Sequence, residues 1–239
     1  MSDWYFDLAH LEHFWVRRRF DVMRRMADAI IRKSKAIAEV GCGNGMLQRC
    51  VEDHYNLPVS GFELHEGGLK KNVSRFSPLY CYDIHHRAPE FRSRFDLLLL
   101  CDVLEHIEDE AAFLQSLRYH LSDNGTMIIN VPALQYLFSK YDEEAGHYRR
   151  YSIDRLQKVV EENGFKVRSI TYWGLCLVPL LMARKVVVSM KRNEGGAYST
   201  GFDPGGRLSN KALGLLARCE PLPQRIQGTS VMAVVEKLP

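Results

Sequence analysis

The chain has 239 residues, of which 46% are apolar and 26% charged, with a net charge of +3. That length suits one large α/β domain with a substantial core and is short for two independent ones, while so small a charge gives no case for a nucleic-acid partner. The six cysteines show no C-x-x-C pair and no zinc spacing, so no metal ligands are expected; with no signal-peptide pattern in Trp4 to Arg25, the expected setting is a reducing cytoplasm.

Residues 10–33 carry Leu11, Trp15, Val22, Met26 and Ile30 at helical spacing, with Arg17, Arg19, Arg24, Arg25, Arg32 and Lys33 around the rest. The pattern predicts an amphipathic helix. Its basic face is either solvated, or it covers a ligand mouth with His13, Trp15 and an arginine from 17 to 19. Ala36 to Val40 reads as a strand that breaks into glycines at 41, 43 and 45 and leads into a helix over Met46 to Tyr55. Strand, glycine turn and helix start are the ingredients of a nucleotide-type site in an α/β sheet. The spacing is G-x-G-x-G, unlike the G-x-G-x-x-G that grips a pyrophosphate, which disfavours a dinucleotide oxidoreductase.

Val59 to Leu64 is a second strand, ending in Glu63 at about the ~20-residue spacing at which an acid accepts hydrogen bonds from ribose hydroxyls. Leu79 to Ile84 repeats the pattern: Asp83 is placed for an exocyclic adenine amine and Ile84 for the ring. Phe95 to Cys101 reads as a buried strand, its apolar run from Leu97 to Cys101 suiting a central parallel strand covered on both faces. Asp102, Glu105 and His106 mark its exit from the core. A helix over Glu108 to Leu121, a turn at Asn124-Gly125 and a strand over Thr126 to Val131 follow. Such alternation predicts a mainly parallel sheet with helices on both faces and ligands outside the carboxyl ends of the strands. Gly41 to Gly45, Glu63, Asp83 and Asp102 to His106 all fall at those ends, which predicts a nucleoside site.

In Glu39-Val-Gly-Cys-Gly-Asn-Gly45, Glu63, Asp83-Ile84 and Asp102-Val-Leu-Glu-His-Ile107 the chain resembles the class I S-adenosylmethionine-dependent methyltransferases, over residues ~35–165. Three further stretches resemble a bacterial branch that often accompanies glycan or lipid biosynthesis: His13-Phe-Trp15, Tyr141-Asp-Glu-Glu-Ala-Gly-His147 with Tyr148 to Tyr151, and Gly228 to Lys237. The resemblance implies one domain over 1–239 with a doubly wound, mostly parallel seven-stranded sheet. A cover helix at 10–33 and a helical insertion or lid at 175–228 would complete it, the last strand lying antiparallel beside the sixth. The implied cofactor is S-adenosyl-L-methionine, with contacts from Glu39, Gly41, Cys42, Gly43, Asn44 and Gly45 at the turn. Glu63 and Leu64 would serve the ribose, Asp83 and Ile84 the adenine, and Asp102 and Val103 the floor near the sulfonium. The Asn-Pro-Pro-Tyr-type motif of amide and exocyclic-amine methylases is absent; Asn130-Val-Pro-Ala133 stands at a comparable place.

Residues 134–151 read as a loop with a hinge at Gly146. His147 is the first candidate base, because imidazole titrates near neutrality; His106 and Asp142 follow. Tyr141, Tyr148, Arg149, Arg150, Tyr151 and Trp15 are expected around the acceptor, with Arg149 and Arg150 either binding an anion or pairing with Glu143 and Glu144. Ser152 is the expected N-cap of a helix ending at Asn163-Gly164, and strands are expected at 166–174 and 229–237. Leu175 to Val188 is apolar but too short before Arg184-Lys185 to span a bilayer. It fits a lid helix, a dimer contact, or a peripheral membrane contact with Arg184, Lys185, Lys191 and Arg192 near headgroups. A mobile loop over 194–207 and a helix over 209–218 are expected next. Together these features predict methyl transfer to a small-molecule, glycan or lipid-linked acceptor at oxygen. A non-catalytic methyltransferase-like scaffold, or an acceptor nitrogen or RNA, are the alternatives.

Overall fold

The computed structural model describes residues 11–190 and 206–239, the side chains of 187–190 excepted. Lys191, Arg192 and nearly all of the expected 194–207 loop lie outside the described residues. Helix α1 (Phe14–Lys33) leads into β1 (Ile37–Val40), α2 (Met46–Tyr55), β2 (Val59–Glu63), α3 (Glu66–Lys70) and β3 (Leu79–Cys81). Then come β4 (Phe95–Cys101), α4 (Glu110–His120), β5 (Leu121–Pro132), α5 (Lys140–Ala145), α6 (Ile153–Glu162) and β6 (Phe165–Trp173). Helices α7 (Val178–Met190) and α8 (Arg207–Leu216) precede the last strand, β7 (Ser230–Lys237).

The strands form a seven-stranded sheet in the order β3-β2-β1-β4-β5-β7-β6. β1 to β5 pair in parallel, and β7 is inserted antiparallel between β5 and β6. Side chains alternate across a strand, and β4 shows why its sequence is apolar from Leu97 to Cys101. Leu98 and Leu100 pack with Phe113, Leu114 and Leu117 of α4 on one face. Leu97, Leu99 and Cys101 meet Val22, Met23 and Ile31 of α1 and Leu47 and Val51 of α2 on the other. Each such fully buried leucine contributes roughly 1.5–3 kcal/mol, so the strand that ends at the site is anchored from both sides.

Three local expectations are corrected. Asn124-Gly125 is not a free turn but part of a bulge, in which Phe95 pairs Leu121 and Leu97 pairs Thr126, with Asn124 at φ 59°. The 134–151 stretch is not simply a loop: it contains α5, begun by a capping box between Ser139 and Asp142 and ended by Gly146 at φ 79°. On α1 the buried face is Val16, Arg18, Val22, Met23, Ala27 and Ile31, and the helix is kinked at Ala27. Arg18 is buried because it pairs with Glu220 at 2.8 Å, whose oxygens also accept Gly174 N–H and Leu175 N–H. That cluster ties α1 to both ends of the insertion. Arg18, within the 17–19 group, is therefore turned into the core and not toward solvent.

Candidate active site

A cavity of about 1110 Å³ opens along the carboxyl ends of β1, β2 and β4. Its first wall is the glycine turn. Gly41 sits at φ 73°, and a Cβ there would stand 2.5 Å from Val103 Cγ2, so only glycine lets β1 turn this close to the segment after β4. Cys42, Gly43 and Asn44 continue the wall. Gly45 does not line the cavity among the described residues; at φ 76° it caps α2 and its Cβ position is filled by Asn72.

Glu63 ends β2 as a fixed acceptor. Its Oε2 accepts Gly43 N–H at 2.8 Å, and its Oε1 accepts Leu64 N–H at 2.8 Å and His65 N–H at 2.9 Å. The carboxylate thus bolts the turn after β1 to the turn after β2. Leu64 lies at the exposed rim and Ile84 is buried in the wall. Asp83 also lines the cavity, with one oxygen accepting His85 N–H at 2.8 Å. Glu39 is buried, its Oε2 has no hydrogen-bond partner, and burial pushes its carboxyl up to about 8, partly offset by Arg19.

The floor is a chain of bonded side chains. Asp102, itself at φ 57°, pairs with Arg19 at 2.5 Å and accepts from Asn130 Nδ2 at 2.7 Å. Asn130 Oδ1 in turn accepts from the indole N–H of Trp173 at 2.8 Å. Trp15 packs on Trp173 with ring centroids 4.5 Å apart and lines the cavity. Arg19 is thus the arginine of the 17–19 group that reaches the ligand mouth.

The far end is built by the segment after β4 and by the residues around α5. His147 Nδ1 lies 2.9 Å from Asp142 Oδ1, and its ring stands edge-on to His106 with centroids 4.6 Å apart. His106 Nδ1 lies 3.2 Å from the carbonyl of Gly146; burial, and then the neighbouring His147, lower its basicity to about 4. Glu105 is 1% exposed, and burial, with Asp102 nearby, holds its carboxyl well above the usual carboxylate range. Asp142 is the opposite case. Burial alone would raise it, but His147 and Arg150, the latter at 2.8 Å, outweigh that and hold it below the usual range.

Asp142 is fully buried and absent from the cavity wall, so it positions His147 and cannot reach an acceptor directly. Three residues expected around the acceptor also lie off the cavity. Tyr151 is fully buried, its hydroxyl donating to Glu110 at 2.6 Å with the Leu104 carbonyl 3.2 Å away. Arg149 pairs with Glu110 at 2.8 Å and donates to the Glu108 carbonyl. Tyr148 is exposed, and its backbone N–H donates to the Glu105 carbonyl at 2.8 Å. These three brace the turn that carries Glu105 and His106. Arg150 and Tyr141 do line the cavity, Arg150 bonded to Asp142 and not to Glu143 or Glu144. Leu177, Leu181, Arg184 and Leu213 from the insertion face the same space, with Arg184 stacked 4.2 Å above the Tyr141 ring. The sequence left Arg184 on a segment read as a lid helix, a dimer contact or a peripheral membrane contact, and did not single out Arg184 or Glu105 as site residues.

The site fits the expected cofactor on two observations. Glu39 offers a buried, unpartnered oxygen where a cationic amino group would pair, and Gly41 and Gly43 line the same wall of the cavity without side chains. The family described as the methyltransferase domain matches residues 9–170. No curated protein matches the chain. Among solved structures, the chain is similar to an S-adenosylmethionine-dependent methyltransferase from Archaeoglobus fulgidus, at 15% identity and TM-score 0.60, covering 92% of this chain and 94% of that one. One from Mesorhizobium loti aligns at 14% identity and TM-score 0.57 over 90% of this chain and 98% of that one. A Haemonchus contortus phosphoethanolamine N-methyltransferase 2 in complex with S-adenosyl-L-methionine aligns at 15% identity and TM-score 0.61, over 100% of this chain and 58% of that one. The chain belongs to the methyltransferase-domain family and is a class I S-adenosylmethionine-dependent methyltransferase.

Proposed function

We propose that the enzyme methylates the oxygen of a small-molecule, glycan or lipid-linked acceptor, in a cytoplasmic setting, with residues 1–239 acting as one catalytic unit. When bound, S-adenosylmethionine supplies an electrophilic methyl group on sulfur. Glu39, Gly41 to Asn44 and Glu63 with Leu64 would hold its amino-acid and ribose parts. Asp83 and Ile84 would hold the adenine, above a floor of Asp102 and Val103. Transfer breaks the carbon–sulfur bond, forms a carbon–oxygen bond and releases the acceptor's hydroxyl proton. Alignment of the two partners is worth up to ~7–11 kcal/mol.

The observation that carries the oxygen reading is His147, lining the cavity with Nδ1 fixed by a buried, ionised Asp142. With the Nδ1 proton assigned toward that carboxylate, Nε2 is the atom free to take a proton. Asn130 supports the same reading against an amide-type nitrogen site, because Trp173 and Asp102 occupy both ends of its carboxamide. The apolar side chains of α7 and α8 in the cavity wall suit an acceptor with an apolar body, with α7 and α8 as the lid and α1 as a cover. Arg150 and Arg184 would offer positive charge to an anionic group on it. No described helix is long and apolar enough to cross a membrane, so any membrane contact through α7 would be peripheral.

The test is a labelled-methyl screen against glycans, lipid-linked sugars and phenols, run with the wild type and His147→Ala. Turnover of the variant should fall by ~10²–10⁴-fold while S-adenosylhomocysteine affinity persists. Undiminished turnover across pH would remove His147 from proton transfer, and labelling confined to amines would overturn the oxygen reading.

A further inference from the structure

Glu105, His106 and His147 each present one ligating atom to the others, all within 4.8 Å, and all three line the cavity. Glu105 is 1% exposed and neither of its carboxyl oxygens has a hydrogen-bond partner. A buried carboxyl without partners carries a desolvation cost that something in the working enzyme must offset. His147 does not: its Nε2 stands 4.0 Å from Glu105 Oε1, beyond hydrogen-bond reach. Both imidazoles have Nδ1 committed elsewhere, His147 to Asp142 and His106 to the Gly146 carbonyl. Each therefore keeps Nε2 for the cavity. An outer hydrogen bond of this kind, to a carboxylate or a backbone carbonyl, is what fixes the ring and tautomer of a metal-ligating histidine.

We propose that Glu105, His106 and His147 hold a divalent first-row transition cation at the acceptor end of the cleft, with an open position toward the acceptor oxygen. Two imidazoles and one carboxylate suit zinc, manganese or ferrous ions better than magnesium or calcium, which prefer all-oxygen sets. Donors ~2.1 Å from one ion stand roughly 3–4 Å apart, so the cluster closes by about 1 Å on loading, within reach of side-chain rotation. The turn carrying Glu105 and His106 is braced by Tyr148, Arg149 and Tyr151 from behind, so the ligands sit on a fixed support. The proposal rests on the methyl-transfer reading and changes one step of it. The acceptor hydroxyl coordinates the cation, its acidity rises, and its proton leaves to solvent, with His147 Nε2 a ligand and not the base. It also revises the expectation, from cysteine spacing, that the chain carries no metal ligands.

The experiment strips the full-length enzyme with chelator and titrates Mn²⁺ or Zn²⁺ alone by calorimetry. Manganese spin resonance and circular dichroism are recorded on the same samples. Wild type should bind one equivalent; Glu105→Gln should weaken binding at least tenfold, and Asp142→Asn by ~10–100-fold through the orientation of His147. If Glu105→Gln is unfolded by circular dichroism, His106→Gln takes its place. Absence of saturable binding by the wild type overturns the proposal, and so does binding that Glu105→Gln and His106→Gln both leave unchanged. S-adenosylhomocysteine is titrated separately. Its failure to bind the wild type strikes the methyltransferase site and not the cation, and its retention in the variants shows that the cation alone was lost.

Discussion

Replacing Glu63 by glutamine tests the nucleoside end of the cleft. The carboxylate accepts three backbone N–H groups, from Gly43 at 2.8 Å, Leu64 at 2.8 Å and His65 at 2.9 Å. A carboxylate offers about four acceptor sites, so roughly one lone pair, on the oxygen facing Gly43, is left for a ribose hydroxyl. Glutamine keeps a single acceptor oxygen. If that oxygen serves Leu64 and His65, the amide NH₂ opposes the N–H of Gly43, donor against donor. Affinity then loses one charge-assisted hydrogen bond, ~1.5–3 kcal/mol, or ~10–100-fold in the dissociation constant of S-adenosylhomocysteine. The stranded N–H is present in free and bound enzyme alike, so its ~1–3 kcal/mol falls on stability. Calorimetry with S-adenosylhomocysteine reads the first loss and thermal denaturation the second. A folded variant with affinity within about twofold of wild type would show that Glu63 staples the two turns without touching the ribose.

Gly41→Ala puts a Cβ 2.5 Å from Val103 Cγ2 at a φ of 73°; it should cost ~1–3 kcal/mol in denaturant unfolding and weaken S-adenosylhomocysteine, with Val103→Ala restoring part of both. Glu39 has a folded-state pKa of about 8 against a usual 4.5. The folded enzyme therefore holds the extra proton, its stabilising effect is complete below pH 4.5, and it is lost as pH rises through about 8, at about 1.4 kcal/mol per pH unit; Glu39→Gln should flatten that decline in urea melts taken from pH 5 to 8. Asn130→Leu leaves the Trp173 indole N–H without its acceptor inside the core and frees Asp102 on one side, so unfolding free energy should fall by ~1–3 kcal/mol.

The strands and the nucleoside end were legible because local pattern and topology agree there. An apolar run such as Leu97 to Leu100 has one comfortable place in an α/β domain, and acids just past such runs must arrive at one rim. The acceptor end was legible only in composition. Tyr141 to Tyr151 is dense in functional side chains, but nothing in their spacing separates Arg150, which faces the cavity, from Arg149 and Tyr151, which brace a turn behind it. That difference is decided by α5, a short helix whose capping box turns Asp142 inward. Arg18 and Arg19 looked alike on a basic helix face, yet one pairs with Glu220 in the core and the other with Asp102 in the cleft. Long-range partners of this kind leave no periodic trace in the chain. Glu105 was visible as the acid that marks a strand exit, but its lack of a hydrogen-bond partner is a property of packing alone.

The two ends of the cleft are coupled through the floor. Arg19 from α1, Asp102 after β4, Asn130 on β5 and Trp173 at the end of β6 form one bonded chain across four elements. Asp102 begins the segment that ends in Glu105 and His106, and its negative charge adds to burial in raising the Glu105 carboxyl. Neutralising Asp102 would therefore act at both ends: it removes the partner of Arg19 on α1 and the negative charge felt by Glu105. A positively charged group above Asp102 would compete with Arg19 for the same carboxylate.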